Sequence, residues 1–410
     1  MNIAYHRIRR TAAILTGLVF FFAGALKLMD PTGAGLVVAD YLSFFHLGFL
    51  SPLSKAIGVG MAFLETAVGA ALILGVWKKV VAIITSVLIA IFTIITLILA
   101  IFNPQMDCGC FGEAIHLSHM QTFLKNLGLC LVAALAFLPF RELGGNRTRK
   151  LVTFPIVLVL IALFTIHQLF SLPLIDFTSF RPGTELSAGW TEDLENLDVM
   201  PPAQFIYEKD GQRQTFSLEN LPDSTWTFVD AIAPEIPTKA DNDGFVNLPF
   251  RDAEGNSRDS LAITGKVFAI SVTQPSKLSP AQWQKAASAL SAASDNGFTP
   301  LLLAAATPAS LEEMIKPMSL QNGAEAILLM NAYSADYRTL ISLNRSNGGA
   351  TWFDDGQLIC KWPAGKLPSS SALRQAAADN PLEHMISYDT RGRIASQAWL
   401  IAVFAVMILF

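Results

Sequence analysis

The feature that most constrains this chain is a succession of apolar runs, each about as long as a bilayer is thick. They cover residues 11–29, 56–76, 80–102, 122–140 and 151–172, with a shorter run at 394–410. A helix needs about 20 apolar residues to cross a hydrocarbon core about 30 Å thick. Only 15% of the 410 residues are charged and 52% are hydrophobic, against about 25% charged in an ordinary soluble domain. The chain therefore reads as an α-helical membrane protein with the lipid bilayer as its first partner. A net charge of −4 argues against nucleic acid as another.

Arg7, Arg9 and Arg10 precede the first run, which could suggest a signal peptide. No small-residue cleavage site follows, and the run is long enough to span, so it is expected to remain as a membrane helix. The final run is short for a span. It is expected to cross only with local thinning of the bilayer, or to lie in the interface.

Loop charges set the expected orientation. The N-terminus, Lys78-Lys79 and the 141–150 loop (Arg141, Arg147, Arg149, Lys150) are basic, whereas loops 30–55 and 103–119 hold only Lys55. The positive-inside rule places the basic set in the cytoplasm and the other loops outside. In a bacterium this means an inner-membrane protein whose large polar region lies in the periplasm. Arg391 and Arg393, beside the last run, go mildly against that placement.

Most acidic residues fall between 191 and 389, after the fifth run. Residues 205–207, the Asp210-Gly211 turn and residues 226–229 read as β-hairpin structure. From Gly265 the pattern becomes a strand at 267–272, a helix at 280–293, a strand at 299–305 and a short helix at 310–315. A hairpin follows at 350–353 and 358–362 around Asp354-Asp355-Gly356, then a helix at 369–378. Strands alternating with helices imply an α/β domain.

Two of the four cysteines lie one residue apart in the loop before the fourth run, Asp107-Cys108-Gly109-Cys110-Phe111-Gly112. Residues i and i+2 can just reach the Cα separation of a disulfide, about 4.4–6.8 Å, and the intervening glycine lets the backbone bend. A strained disulfide is readily reduced, which suits exchange chemistry. The pair could instead be a fixed turn with an inert disulfide, although a structural bridge usually closes a longer loop. With His116 and His119 it could also bind zinc. Cys130, among Leu and Val, and Cys360, alone in a strand, read as inert buried thiols. His167 reads as a packing residue.

Four elements in order resemble the DoxX-like membrane family, in its MauE (methylamine utilisation) branch. They are Gly24 to Pro31 with Lys27, Leu64-Glu65 with Gly69, the loop from Asp107 to Gly112, and Thr122-Phe123 with Lys125-Asn126. The likeness extends to DoxX-family proteins of Bacteroidetes with a periplasmic extension. It implies a four-helix membrane bundle and a role in disulfide formation and, through the DoxX name, a link to a quinone. The extension from Gly265 resembles a degenerate thioredoxin-like domain. Gln274-Pro275-Ser276-Lys277 stands where that family has a cysteine pair, and Gly348-Gly349-Ala350 where it has a cis-proline, so binding is its expected role.

Glu65 falls mid-span, where a carboxylate is costly and is normally paired or functional. Lys27 and Lys125 lie nearer the outer ends of their spans and either snorkel or join Glu65 and Asn126 in a polar cluster beneath the cysteines that could relay protons. The expected organisation is a four-helix domain at 1–147, a fifth span at 148–175, a β-rich segment at 176–264, a thioredoxin-like domain at 265–390 and a terminal helix at 391–410. The expected function is thiol–disulfide redox or an accessory part in periplasmic disulfide formation, with Cys108 and Cys110 as reactive groups. The alternative is a non-enzymatic scaffold whose outer domain docks a periplasmic partner.

Overall fold

The computed structural model describes residues 3–104, 106–140, 143, 148–187, 204–209, 212–217, 226–232 and 245–409. The Asp210-Gly211 turn and part of the basic 141–150 loop lie outside them. Six described helices are long and apolar enough to cross a membrane.

The membrane domain runs α1 (Ile3–Met29), α2 (Pro31–Phe44), α3 (Ser54–Leu74), α4 (Lys78–Phe102), β1 (Cys110–Glu113), α5 (His119–Phe137) and α6 (Thr148–Leu169). Small residues let α1 and α3 cross closely, as they do in membrane bundles generally. A Cβ on Gly24 would come within 2.4 Å of Thr66 Oγ1, and one on Gly69 within 2.4 Å of the Phe21 nitrogen. At the basic end of the bundle, cations meet helix C-termini, where the backbone carbonyls lack partners. Arg9 donates to the carbonyls of Ala136 and Phe137 at the end of α5, and Arg10 to that of Leu72 in α3 at 2.8 Å. α1 and α4 both start at this end, so the Cys108–Cys110 loop, which follows α4, lies at the other.

α2 corrects the reading of residues 30–55 as a simple loop. Its start is written locally: the Asp30 carboxylate accepts from Gly33 N at 2.9 Å and Pro31 opens the helix, a favoured start because proline needs no N–H partner there. Its 14 residues are too few to span, and it lies along α3.

The extramembrane strands are β2 (Glu185–Leu186), β3 (Gln204–Lys209), β4 (Gln212–Ser217), β5 (Thr227–Ile232), β6 (Phe245–Val246), β7 (Phe250–Arg251), β8 (Lys266–Val272), β9 (Thr299–Ala304), β10 (Ala332–Ala335), β11 (Gly349–Asp354) and β12 (Gln357–Trp362). The helices are α7 (Pro280–Asp295), α8 (Pro308–Ile315), α9 (Ala324–Met330), α10 (Tyr337–Leu343), α11 (Ser370–Ala378) and α12 (Pro381–Leu409). β3, β4 and β5 form a separate antiparallel sheet. The other strands make one mixed sheet, in the order β6-β2-β12-β11-β8-β9-β10-β7. Strands from both sides of Gly265 thus share a sheet. β8 runs parallel to β9, and β11 antiparallel to β8 and β12.

Alternation along β8 supplies two cores, because successive strand side chains point to opposite faces. Phe268, Ile270 and Val272 pack with Trp283 and Leu290 of α7, while Val267 and Ala269 pack with Leu340 of α10. The β11–β12 turn has positive φ at Asp355 (43°) and Gly356 (79°), the geometry of a tight hairpin.

α12 corrects the expectation of a short final span. Its 29 residues begin in the extramembrane domain, so it is about 43 Å long at the usual helical rise. Its Trp399 stacks on Phe164 of α6 at 4.0 Å between ring centroids, and Lys150 Nζ donates to the Met407 carbonyl near its end.

Candidate functional site

Cys108 and Cys110 are free thiols with sulfurs 3.3 Å apart, against about 2.05 Å in a disulfide. The loop is held in a tight conformation. Gly109 (φ +61) lies so close to α2 that a Cβ would fall 2.3 Å from Val37 Cγ1, and the Tyr41 hydroxyl donates to the Cys108 carbonyl at 2.7 Å. Cys108 is 5% exposed. Tyr41 and Val37 escaped the sequence reading because nothing local marks an apolar helix as the lid of a loop 67 residues on; only the cap at Asp30-Pro31 signals that the helix exists.

The two thiols differ electrostatically. The hydrogen bond from Cys110 brings Cys108 down to about 6, helped by the Thr122 hydroxyl and the Lys125 ammonium and opposed by burial. Cys110 is pushed far up by the same hydrogen bond and by burial. The pair therefore loses its first proton from Cys108, leaving a thiolate with a thiol beside it. A thiolate is the reactive form in exchange.

Beneath the thiols lies a cavity of about 290 Å³ between α1, α2, α3, α4 and α5. Lys27, Glu65, Lys125, Asn126, Cys108 and Cys110 all line it, among mostly apolar side chains. The structure pairs Lys27 with Glu65: Nζ donates to both carboxylate oxygens, at 2.9 and 2.8 Å, and Glu65 is 3% exposed. Lys125 does not join that pair, and its Nζ lies 4.9 Å from the centre of the Phe111 ring, a cation–π contact. Asn126 Nδ2 donates to Thr96 Oγ1 at 3.2 Å. The six residues thus share one cavity, but only Lys27 and Glu65 form an ion pair.

The histidines do not join the thiols. His116 lies against Asp107 at 3.3 Å and His119 against the Pro104 carbonyl at 3.0 Å. No described group of three or more His, Cys, Asp or Glu residues could hold a metal. Cys130 Sγ lies 3.5 Å from the Thr93 hydroxyl. Cys360 is buried in β12, where desolvation drives its thiol well up.

The extramembrane domain grips the same end of the bundle. Arg345, just after α10, is 4% exposed and contacts Asp30 at 2.9 Å and Glu113. Arg338 pairs with Asp40. Next to this, Lys361 is ion-paired with Asp176 at 2.5 Å. Burial lowers Lys361, and its Asp176 partner opposes the shift. The sequence reading missed this cluster: its members are isolated charges in separate elements.

Fold and site together define a multi-pass membrane protein whose helical bundle carries a dithiol loop at one end, contacted there by an α/β domain. Residues 6–139, which run from the first turns of α1 to the end of α5, match the family model of the methylamine utilisation protein MauE. Residues 203–233, which contain β3 to β5, match a domain of unknown function (DUF8463). No curated protein and no solved structure matches the chain.

Proposed function

We propose that the protein is a membrane thiol–disulfide redox protein, or an accessory factor for disulfide formation, acting through Cys108 and Cys110. The observation that carries this reading is the pair itself: two free sulfurs 3.3 Å apart, one predisposed to ionise and the other to stay protonated. A low-pKa thiolate attacks a partner disulfide to give a mixed disulfide. The neighbouring thiol, once deprotonated, displaces the partner as a thiolate and closes the Cys108–Cys110 bond. In the reverse direction the closed pair oxidises a partner dithiol. The family match supports a membrane accessory or assembly role.

The positive-inside pattern supports a periplasmic position for the dithiol end and the extramembrane domain. The strand order β9-β8-β11-β12, with β8 and β9 parallel and β11–β12 a hairpin, supports a thioredoxin-like reading of that domain. Its loop after β8 holds no cysteine. It is fastened by Asn347 Oδ1, which accepts from Gln274 N at 3.0 Å and the Thr273 hydroxyl at 3.3 Å. The domain therefore serves docking rather than electron transfer.

The test uses the full-length protein in vesicles with a reduced test protein that carries one native disulfide when oxidised. The pre-oxidised membrane protein should transfer its disulfide to the reduced test protein, and Cys110→Ser, given the oxidised test protein instead, should stop at a mixed disulfide between Cys108 and one test-protein cysteine. No transfer and no adduct would refute the reading.

A further inference from the structure

Thiol–disulfide exchange with a protein depends on access to the attacking sulfur, and Cys108 is only 5% exposed. The contacts that seat its loop come from the second half of α2. Val37 lies against Gly109, and the Tyr41 hydroxyl donates to the Cys108 carbonyl.

α2 is also the wall of the cavity best able to move. Its neighbours α1, α3, α4 and α5 are long enough to be fixed as spans, whereas α2, at 14 residues, is too short to cross. Its two halves are held unequally. In the first, Pro31, Gly33, Ala34 and Gly35 are buried. There α2 meets the start of α3 so closely that a Cβ on Gly58 would lie 2.7 Å from the Ala34 carbonyl oxygen. Residues 36–44 include no buried residue.

The extramembrane domain repeats this asymmetry. Arg338, at the start of α10, meets Asp40, and Arg345, just past its end, meets Asp30. The Arg345–Asp30 pair is buried, so breaking it strands a charge. The Arg338 side chain is 69% exposed, and an exposed pair is weak and screened by salt. Leu340 and Leu343 anchor α10 in the core of its own domain, so α10 is a firm support against which α2 can be held or released.

We infer that residues 36–44 form a flap over the dithiol, hinged at the buried first half of α2 and latched to the extramembrane domain by Arg338 and Asp40. The latch opens while the Arg345 contact holds, which uncovers Cys108 without undocking the domain. The inference rests on the redox reading of the dithiol and supplies the regulation of that site: a protein partner reaches the thiols in the unlatched form. Arg338 and Asp40 touch no reacting atom and are positioning residues that act through Val37 and Tyr41.

The experiment uses the full-length, reduced protein in lipid nanodiscs, in a Cys360→Ser background. Thiols are labelled with a long poly(ethylene glycol) maleimide and located by peptide mapping, with Cys130 as the monitor of bundle packing. Arg338→Asp and Asp40→Arg are each expected to speed labelling of the loop about fivefold, the order set by an exposed ion pair. Combining the two reversals is expected to return the rate towards wild type. High salt should speed labelling of the wild type. Arg338→Gln, which also serves should a reversal fail to assemble, should speed labelling and abolish the salt response. A rate that no single variant raises, or that stays raised when the reversals are combined, would overturn the latch. A parallel rise at Cys130 would overturn it too, because the bundle as a whole would have loosened.

Disulfide exchange with the oxidised test protein, followed in the same variants, reports the redox reading separately. If exchange proceeds at one rate in all of them, the redox reading stands and the latch falls. If labelling follows the latch but no exchange occurs even in the unlatched variants, the flap stands and the redox reading falls.

Discussion

Lys27 holds both carboxylate oxygens of Glu65, at 2.9 and 2.8 Å, across the close crossing of α1 and α3 and in the wall of the cavity under the dithiol. A mid-span carboxylate is tolerated when a cation meets it. Here the cation comes from near the end of α1, because the helices approach closely at Gly24 and Gly69.

Glu65→Gln leaves a buried ammonium without its counter-charge. Removing one partner of a buried pair costs about 3–5 kcal/mol, so this variant is expected to lose much of its thermal stability in detergent. The double variant Lys27→Met with Glu65→Leu is expected to lose less than Glu65→Gln alone, because no buried charge is stranded. Equal losses in the two would show that the pair contributes nothing beyond packing.

Arg345→Ala removes the cation between Asp30 and Glu113. A loss of about 3 kcal/mol or more is expected for a buried pair so broken. Amide exchange should rise in residues 110–113 and in α10 together, since the contact joins these two segments. Protection unchanged in both would show that the domains are held by other contacts.

How far the sequence disclosed all this depends on the kind of signal. Membrane helices were readable because each carries its own length and apolarity, and the β11–β12 turn because Asp355-Gly356 suits positive φ at both positions. α2 was too short to announce itself by length, and the polar residues 381–393 concealed that α12 starts well before its apolar part. Glu65 could be singled out by depth, but choosing Lys27 over Lys125 required the crossing of α1 and α3. Arg345, Asp30 and Glu113 come from three distant segments, and no local pattern foretells their meeting.

The pH dependence of alkylation follows from the two thiols. Cys108, lowered to about 6 chiefly by the hydrogen bond from Cys110, is protonated below that value and ionised above it. Its iodoacetamide rate should climb from pH 5 and level off above about pH 7, whereas an ordinary thiol keeps climbing past about 8.5. Cys110 should stay slow throughout. Lys125→Gln should move the Cys108 inflection upward, since that ammonium helps hold the thiolate. An inflection near the ordinary value would contradict the asymmetry.

Topology is tested in spheroplasts. A protease confined to the outside should cut within the extramembrane region that follows α6, and the Lys78-Lys79 turn should stay protected. Complete protection of the extramembrane region would reverse the proposed orientation.

The most direct test of the central claim is the redox state of Cys108 and Cys110 in native membranes. Thiols are trapped in acid, alkylated, and counted on the peptide carrying both residues, before and after a reductant and then an oxidant. The account predicts that reductant adds two labels to this peptide and oxidant removes both, with Cys360→Ser behaving as wild type and Cys108→Ser leaving one label in both conditions. A peptide that carries two labels regardless of treatment, or none even after full reduction, would contradict it.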